Sequence, residues 1–129
     1  MSANIDLVKT SLAQFANGEM EAFLGNLTAD CVWKEPAGGQ ISGTWVGPQA
    51  ILEGLFMPLA ATFDWKHTAV DAIVEANGKV YVMGTEEGRN LKTGKSATTS
   101  FTQILEIRDG KLASFEHIFD THVFQLTEN

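Results

Sequence analysis

Two tight-turn dipeptides constrain this chain most, because each joins two segments with strand-like sequences. Asn77-Gly78 separates "WKHTAVDAIVEA" from "KVYVMGTEEGR", and Asp109-Gly110 separates "SATTSFTQILEIR" from "KLASFEHIF". Asn-Gly between alternating apolar segments is a strong signal for a two-residue hairpin. With the turn "NLKTGK" between the second and third segments, the pattern predicts four consecutive strands in an antiparallel meander.

The N-terminal half has the spacing of helices. Apolar residues recur at three- and four-residue steps on one predicted helix face: Ile5, Val8, Leu12 and Phe15. A second short helix is predicted from Glu19, with Leu27 on its inner face and an end near residues 28–30. A strand over 31–36 and a short strand around 43–45 follow. A third helix is predicted from Pro48, and Pro58 is expected to end or kink it.

These elements predict one α+β domain over residues 1–129. Three N-terminal helices are expected to pack on one face of a curved, mostly antiparallel sheet. Glycines at 84 and 88 allow such a sheet to curl around a cavity.

Composition excludes several classes of function. The net charge of −7, from nine basic and sixteen acidic residues, opposes binding to nucleic-acid phosphates. No apolar run approaches the roughly 18 residues of a membrane helix, and the N-terminus has no secretion signal. A single cysteine cannot form an internal disulfide. We therefore expect a cytoplasmic protein that binds neither nucleic acid nor membrane.

The order of the elements, together with four phrases, resembles the SnoaL-like branch of the nuclear transport factor 2-like superfamily. The phrases are "FANGEMEAFLGNLTADCVWKEP", "GTWVGPQAI", "TGKSATTSFTQILEIRDGKL" and "FEHIFDTHVFQL", and the resemblance covers essentially the whole chain. It implies a cone-shaped, curved, mostly antiparallel sheet closed by the three N-terminal helices, with an internal pocket, and a homodimer formed by packing of the sheets. The superfamily includes ketosteroid isomerases, polyketide cyclases, limonene-epoxide hydrolases, dehydratases and non-catalytic members, so the chemistry must be argued from residues.

Glu35 is the first candidate catalytic residue. Cys31, Trp33 and Glu35 alternate on one face of the predicted strand. In the ketosteroid isomerases an Asp-Pro pair at this place supplies the general base, and the resemblance assigns Glu35-Pro36 to it. An apolar, partly dry surrounding destabilises a charged carboxylate, which helps it to take and return a proton. The alternative is a carboxylate at the rim, paired with Lys34 or with solvent.

His117 is the second candidate. It alternates with Ala113, Phe115 and Phe119 on an otherwise apolar face of the last strand. In sequences resembling the epoxide hydrolases a catalytic Asp occupies this position. A neutral imidazole could relay a proton or polarise a carbonyl group there. The alternative is a core histidine satisfied by one hydrogen bond.

Gln103 and Glu86 are the remaining polar candidates. Gln103 lies near the place where the isomerases have a protonated acid, and its amide could donate to a developing oxyanion, although Thr102 competes for that place. Glu86 falls near a second acidic position of the epoxide hydrolases. Glu86 and Glu87 point to opposite faces of their strand, and the pattern does not choose between them. His67 is expected at the surface or the rim.

Neither complete active site is present in the sequence. The isomerases carry a pocket tyrosine on the first helix, where this chain has Ser11. The epoxide hydrolases need an arginine near the place of Gly84. The three histidines lack the spacing of a metal site, and no metal or cofactor is expected.

An aromatic pocket wall is predicted from Trp33, Phe56, Phe115 and Phe119, with Trp45 or Phe101 near the mouth. Such a lining suits a small apolar organic ligand with one or two polar atoms. The leading hypothesis is a cofactor-independent acid/base enzyme of isomerase, cyclase or dehydratase type that acts on a carbonyl-like compound through Glu35, His117 and Gln103. The alternative is a non-catalytic ligand-binding or accessory dimer module.

Overall fold

One six-stranded sheet organises the chain in the computed structural model, which describes residues 2–129. The strands are β1 (Leu27–Glu35), β2 (Gly43–Val46), β3 (Phe63–Ala76), β4 (Lys79–Asn90), β5 (Ser96–Arg108) and β6 (Lys111–Phe119). Their order is β2-β1-β6-β5-β4-β3, and every neighbouring pair is antiparallel except β1 and β6. The predicted α+β class and the mostly antiparallel sheet are confirmed. Within the described residues the edge strands β2 and β3 do not pair with each other, so the sheet is open.

The helices lie before, between and after the strands. They are α1 (Ala3–Ala16), α2 (Met20–Gly25), α3 (Pro48–Ile51), α4 (Met57–Thr62) and α5 (His122–Gln125), and a final 3-10 turn spans Leu126–Glu128. Ser2 caps α1, because its hydroxyl oxygen accepts hydrogen bonds from the backbone N–H groups of Asn4 and Ile5. No helix in the described chain is both long and apolar enough to cross a membrane.

Two predicted boundaries were wrong. The second helix ends at Gly25, and Leu27 begins β1 opposite Leu112 instead of continuing the helix. Leu27 is buried in either case, so its apolarity did not reveal the change of element. Pro58 does not end the third helix, which continues to Thr62. The irregularity comes earlier, in the π-helical segment Leu52–Phe56 that joins α3 to α4.

The two predicted hairpin turns form where the sequence places them. Asn77 and Gly78 have φ angles of 55° and 74°, and Asp109 and Gly110 have 53° and 74°. Two successive residues with positive φ match the type I′ turn, whose twist suits antiparallel strands. These turns connect β3 to β4 and β5 to β6, and they fix the register of the meander.

Irregular pairing between β3 and β4 accounts for local curvature at one edge of the sheet. The register shifts between His67 and Ala69, and again between Val70 and Ala72. Gly84 pairs with Val70 at this point, and a Cβ atom on Gly84 would overlap the backbone carbonyl oxygen of Ala69. A glycine is therefore required where the bulged strand crosses its neighbour.

The buried core lies between the inner face of the sheet and the N-terminal helices. Side chains of α1, α2 and the π-helical segment, including Val8, Phe23 and Phe56, pack with Trp33 and Phe115 of the sheet. Aromatic rings meet mostly edge to face, which is a favourable geometry for such pairs. The inner face of the sheet is thus the surface on which a site could be built.

We predict that Gly84→Ala will destabilise the protein by about 2–3 kcal/mol, because the new methyl group can be accommodated only by separating β3 from β4. The measurement is urea unfolding followed by circular dichroism. Gly25→Ala is the matched control, since Gly25 lies at the end of α2 with open space around it. That variant should be unchanged or up to about 1 kcal/mol more stable. Equal stability of the two variants would contradict the assigned role of Gly84.

Candidate functional site

Five strands direct polar side chains to one region of the inner face. Glu35 is the last residue of β1, Glu86 lies in β4, Gln103 in β5 and His117 in β6. Gln103 is paired with His117, and His67 of β3 with Glu86. Because side chains alternate along a strand, these register pairs bring the polar groups to the same face. Residues distant in the sequence therefore meet in one cluster.

His117 lies between two carboxylates. Its Nδ1 is 2.9 Å from Oε1 of Glu35, and its Nε2 is 2.7 Å from Oε1 of Glu86. The three side chains are buried, with exposed fractions of 7% for His117, 8% for Glu35 and 0% for Glu86. Since ionised carboxylates only accept hydrogen bonds, both imidazole nitrogens must donate. His117 is then an imidazolium, and the trio carries one net negative charge.

The pKa of His117 reflects two opposing effects. Burial lowers it, and the hydrogen bonds and negative charges of Glu35 and Glu86 outweigh burial and raise it to about 9. The imidazole therefore holds both protons throughout the neutral range. The sequence pointed only to the roles of a neutral His117, because its pattern did not show that a carboxylate would lie against each nitrogen.

Two tryptophans complete the hydrogen bonding of the carboxylates. Nε1 of Trp33 donates to Oε2 of Glu35 at 2.7 Å, and Nε1 of Trp65 donates to Oε2 of Glu86 at 3.1 Å. Every carboxylate oxygen in the trio thus has a donor, which compensates for removing the charges from water. We refer to Glu35, His117 and Glu86 together with these two tryptophans as the charged array.

The choice between Glu86 and Glu87 is resolved by the facing of β4. Glu86 lies inside the charged array, whereas Glu87 lies on the opposite face, where its Oε1 is 3.5 Å from Nζ of Lys66. The sequence predicted that one of these two glutamates would be exposed to solvent, and Glu87 is that residue.

His67 belongs to the site, and the expectation of a surface or rim position was wrong. Its side chain is mostly buried and stacks on Phe101 with ring centroids 4.8 Å apart. Nε2 of His67 is 3.2 Å from Nε2 of Gln103 and 3.6 Å from Oε2 of Glu86. Burial lowers the pKa of His67; the charge of Glu86 raises it, and that of His117 lowers it further. His67 is therefore the neutral imidazole of the site.

A cavity of about 90 Å³ adjoins these groups. Its polar lining includes Glu35, His67, Gln103 and His117. Its apolar lining includes all four residues of the predicted aromatic wall, which are Trp33, Phe56, Phe115 and Phe119. Glu86, Phe101 and Trp45 are not part of this lining: Glu86 and Phe101 contact the two histidines instead.

The volume of the cavity sets a limit on its contents. It is smaller than the roughly 150 Å³ of an engineered cavity that admits benzene. Trp33 and Phe115, stacked with ring centroids 3.7 Å apart, occupy part of the interior. A ligand with an aromatic ring would therefore require small movements of the wall.

The chemistry that the site residues can offer is proton transfer and hydrogen bonding. No group of three or more histidine, cysteine, aspartate or glutamate side chains in residues 2–129 is arranged to hold a metal ion. Burial raises the pKa of the Cys31 thiol to about 11, with a smaller contribution from the charge of Asp30. Cys31 is thus not an activated nucleophile.

Sequence reasoning missed Trp65 and His67, although a signal for both was present. Phe63, Trp65 and His67 alternate at the start of β3, which is the pattern of a strand with one buried face. The aromatic members of that face identify His67 as inward. The bulges that follow in β3 interrupt the alternation and hide the pattern.

Comparison with known proteins agrees with this fold. The profile of the SnoaL-like domain matches residues 8–115. An NTF2-like protein from Burkholderia thailandensis superposes with a TM-score of 0.91 at 23% identity, covering 100% of this chain and 99% of that chain. TerC co-crystallised with polyporic acid has a TM-score of 0.86 at 31% identity, covering 98% of each chain. A protein described as a candidate polyketide cyclase from Xanthomonas campestris has a TM-score of 0.82 at 14% identity, covering 95% and 93%. No protein of curated function matches the sequence.

The raised pKa of His117 predicts that the protein loses stability as the pH rises above neutrality. The folded state holds the His117 proton up to about pH 9, whereas the unfolded chain releases it near its ordinary value of about 6.5. The stabilisation is complete below the unfolded pKa and disappears as the pH passes the folded one. We expect the free energy of unfolding to fall by roughly 3 kcal/mol between pH 6 and pH 9.5.

Two measurements check this expectation. Urea unfolding across that pH range gives the stability, and NMR titration of the imidazole C–H signals gives the pKa of each histidine. His67 is the internal comparison, since its signal should titrate below 6.5. Titration of His117 near 6.5, without loss of stability up to pH 9, would contradict the charged array.

Proposed function

This chain belongs to the SnoaL-like domain family, and on that premise we propose that it binds a small organic molecule and catalyses proton transfer on it without a cofactor. The reaction class is an isomerisation, cyclisation or dehydration of an apolar carbonyl compound. Glu35 is the general base, His117 stabilises and shares its proton, and Gln103 positions the ligand. One observation carries the proposal: the Glu35 carboxylate, backed by an imidazolium, lines a mostly apolar cavity.

The approach of the substrate follows from the distances. Glu35 and His117 are 2.9 Å apart, so no reacting group fits between them. Each carboxylate oxygen can accept more than one hydrogen bond, and lone pairs of Glu35 remain after the bonds from Trp33 and His117. A substrate therefore approaches Glu35 from the cavity and not from the side of His117.

Proton transfer at Glu35 leads to each of the three reaction types. The carboxylate removes a proton from a carbon atom next to a carbonyl group, and the bonding electrons move into the enolate. Return of that proton to another carbon completes an isomerisation. In a dehydration, the enolate re-forms the carbonyl and expels a β-hydroxyl group, which takes the proton held by Glu35 and leaves as water. In a cyclisation, the enolate carbon forms a bond to a second carbonyl carbon, and the oxygen of that carbonyl takes the proton from Glu35.

His117 contributes by its charge. While Glu35 carries the transferred proton, the trio changes from a net charge of −1 to zero, and the imidazolium remains stabilised by Glu86. When the proton returns, the hydrogen bond from Nδ1 stabilises the carboxylate that forms again. Because Trp33 also stabilises that charge, the proton must come from an activated position, such as the carbon next to a ketone.

Two relatives give chemical support to the proposal. TerC, at 31% identity, was co-crystallised with an organic ligand, polyporic acid. A neighbour of the same fold is described as a candidate polyketide cyclase. Both are consistent with a small organic ligand here, while the reaction itself is argued from Glu35 and His117.

The alternative function is a non-catalytic ligand-binding or accessory module. One observation favours it: all four carboxylate oxygens of the charged array already have donors. A network of this kind can serve purely to position strands. The two functions differ in whether a bound carbonyl compound exchanges protons with Glu35.

We also propose a homodimer formed through the outer face of the sheet. Across β3, β4, β5 and β6, register pairing aligns Ala72, Met83, Thr102 and Ile118 in one row. Val74, Tyr81 and Ile104 lie in the neighbouring row. Val74 and Ile118 are almost half exposed, and contiguous exposed apolar side chains of this kind favour association.

Glu35→Gln should abolish proton transfer without preventing ligand binding, because the amide keeps the shape of the carboxylate but cannot act as the base. The assay is exchange of the α-hydrogens of acetophenone and 1-indanone for deuterium, followed by NMR. We expect the enzyme-dependent exchange rate to fall by at least about 100-fold. Glu87→Gln is the matched control on the same sheet and should keep the wild-type rate. Binding of both ketones without any accelerated exchange in the wild type would support the non-catalytic alternative.

Ile118→Glu should convert the proposed dimer to a monomer, because a carboxylate would be buried in the interface. Analytical ultracentrifugation measures the mass directly. Leu126→Glu is the control, since Leu126 is exposed on the C-terminal turn, outside the outer face. A monomeric wild type, or a dimer that survives Ile118→Glu, would refute this interface.

A further inference from the structure

One wall of the cavity is a loop with exposed residues. Residues 36–42 connect β1 to β2, and Gly39, Gln40 and Ile41 of this loop line the cavity. Gln40 is exposed, whereas Ile41 is half-buried and packs against the core. We refer to residues 36–42 as the mouth loop. It begins directly after Glu35, so a ligand that passes it arrives beside the proposed base.

Few hydrogen bonds hold the mouth loop in place. In the described chain, no backbone-to-backbone bond outside the helices and strands involves residues 36–42. Three side-chain bonds tie the loop to the segment after β6: Thr121 to the carbonyl oxygen of Ala37 at 3.2 Å, Gln125 to the carbonyl oxygen of Gly38, and Gln40 to Glu128 at 2.6 Å. We call these bonds the latch. All three are exposed, so water can replace them at little cost when they break.

Glycines at two positions allow the backbone of the mouth loop to turn. Gly38 has a φ angle of 90°, and Gly43, the first residue of β2, has a φ angle of 135°. Only glycine adopts such angles readily, and its backbone rotates with little steric resistance. Pro36, in contrast, restricts the backbone next to Glu35. Rotation at the two glycines would therefore move residues 39–42 and leave Glu35 in place on β1.

The mouth loop is the wall that can move at the lowest cost. The cavity of about 90 Å³ is smaller than the roughly 150 Å³ that admits benzene, so a larger ligand must displace one wall. The strands β1, β5 and β6 are joined by backbone ladders. The helical walls pack through the rings of Phe15, Phe23 and Phe56. The mouth loop has neither kind of support, and segments with few contacts open locally while the rest stays folded.

We propose that the mouth loop is a lid that turns on Gly38 and Gly43, breaks the latch and withdraws Ile41, so that ligands larger than the closed cavity enter and leave on this side. The inference rests on the proposed ligand-binding function, because a lid is of use only to a site that takes a ligand. It makes Ile41 the side chain that limits ligand size in the closed state. Closure over the site also keeps water from Glu35.

Acetone and benzene test the lid, because acetone is small enough for the closed cavity and benzene is too large for it. Gly39→Cys with Thr121→Cys locks the loop, since a Cβ atom on Gly39 would lie 3.6 Å from Cγ2 of Thr121, within reach of a disulfide. NMR titration measures the binding of each probe. We expect the oxidised protein to bind acetone as the wild type does and benzene at least about tenfold more weakly. Reduction with dithiothreitol is the matched control and should restore benzene binding.

Other variants act on the lid without a disulfide. Gln125→Ala with Thr121→Val removes two bonds of the latch, and benzene should then bind about five- to tenfold more tightly, because the open state is more populated. Acetone binding should not change. His122→Ala is the control on the same helix, since His122 is exposed and has no hydrogen bond to the mouth loop among the described residues. Ile41→Ala should restore benzene binding to the oxidised double-cysteine protein, because the side chain that must leave is then absent.

The outcomes separate this inference from the proposed function. Equal benzene affinity in the oxidised and reduced double-cysteine protein would overturn the lid. A wild type that binds acetone but not benzene would also overturn it, because the loop would not open far enough, and the proposed function would remain intact. If the double-cysteine protein does not fold, unchanged benzene affinity in the latch variant overturns the lid by itself. Failure of the wild type to bind either probe would refute the proposed ligand-binding function, and the lid with it.

Discussion

The structure depends on one buried cation held between two buried anions. Removing a carboxylate or an imidazolium from water costs several kcal/mol per ion, and mutual attraction compensates only when the remaining hydrogen bonds are also satisfied. The indole N–H groups of Trp33 and Trp65 supply those bonds here. Loss of the His117 charge would leave two buried carboxylates without a cation between them, so the charged array constrains the sequence at five positions together.

This constraint explains why the sheet has its particular shape. The array needs one residue from β1, one from β4 and one from β6 within hydrogen-bonding distance, with Trp65 reaching across from β3. A flat sheet would hold β1 and β4 too far apart, because β6 and β5 lie between them. Curvature brings Glu35 and Glu86 to opposite nitrogens of the same ring. The bulges in β3 and the glycine at 84 contribute to this curvature.

The sequence predicted those parts of the molecule that depend on local rules. The strands after residue 60 were evident because Asn77-Gly78 and Asp109-Gly110 mark their turns, and alternation grouped His117 with Phe115 and Phe119 on one face. Alternation did not choose between Gln103 and Thr102, and the structure shows that Gln103 is the buried one. What depends on distant pairing could not be read in this way. The contact of Glu86 with His117 follows from the register of three strands. The parallel pairing of β1 with β6 involves no tight turn between them, so no turn sequence predicts it. The protonation of His117 was missed for the same reason.

The parallel pairing of β1 with β6 also affects the order of folding. Glu35 and His117 are 82 residues apart in the sequence, whereas β3 to β6 can form as local hairpins. Contacts between residues distant in the sequence form slowly, because the entropy cost of closing the loop comes before any stabilising contact is made. During synthesis β1 leaves the ribosome long before β6, so the edge of β1 that pairs with β6 stays unpaired until β6 has been synthesised. Because β6 pairs with both β1 and β5, the last strand of the meander is the element that completes both the sheet and the site.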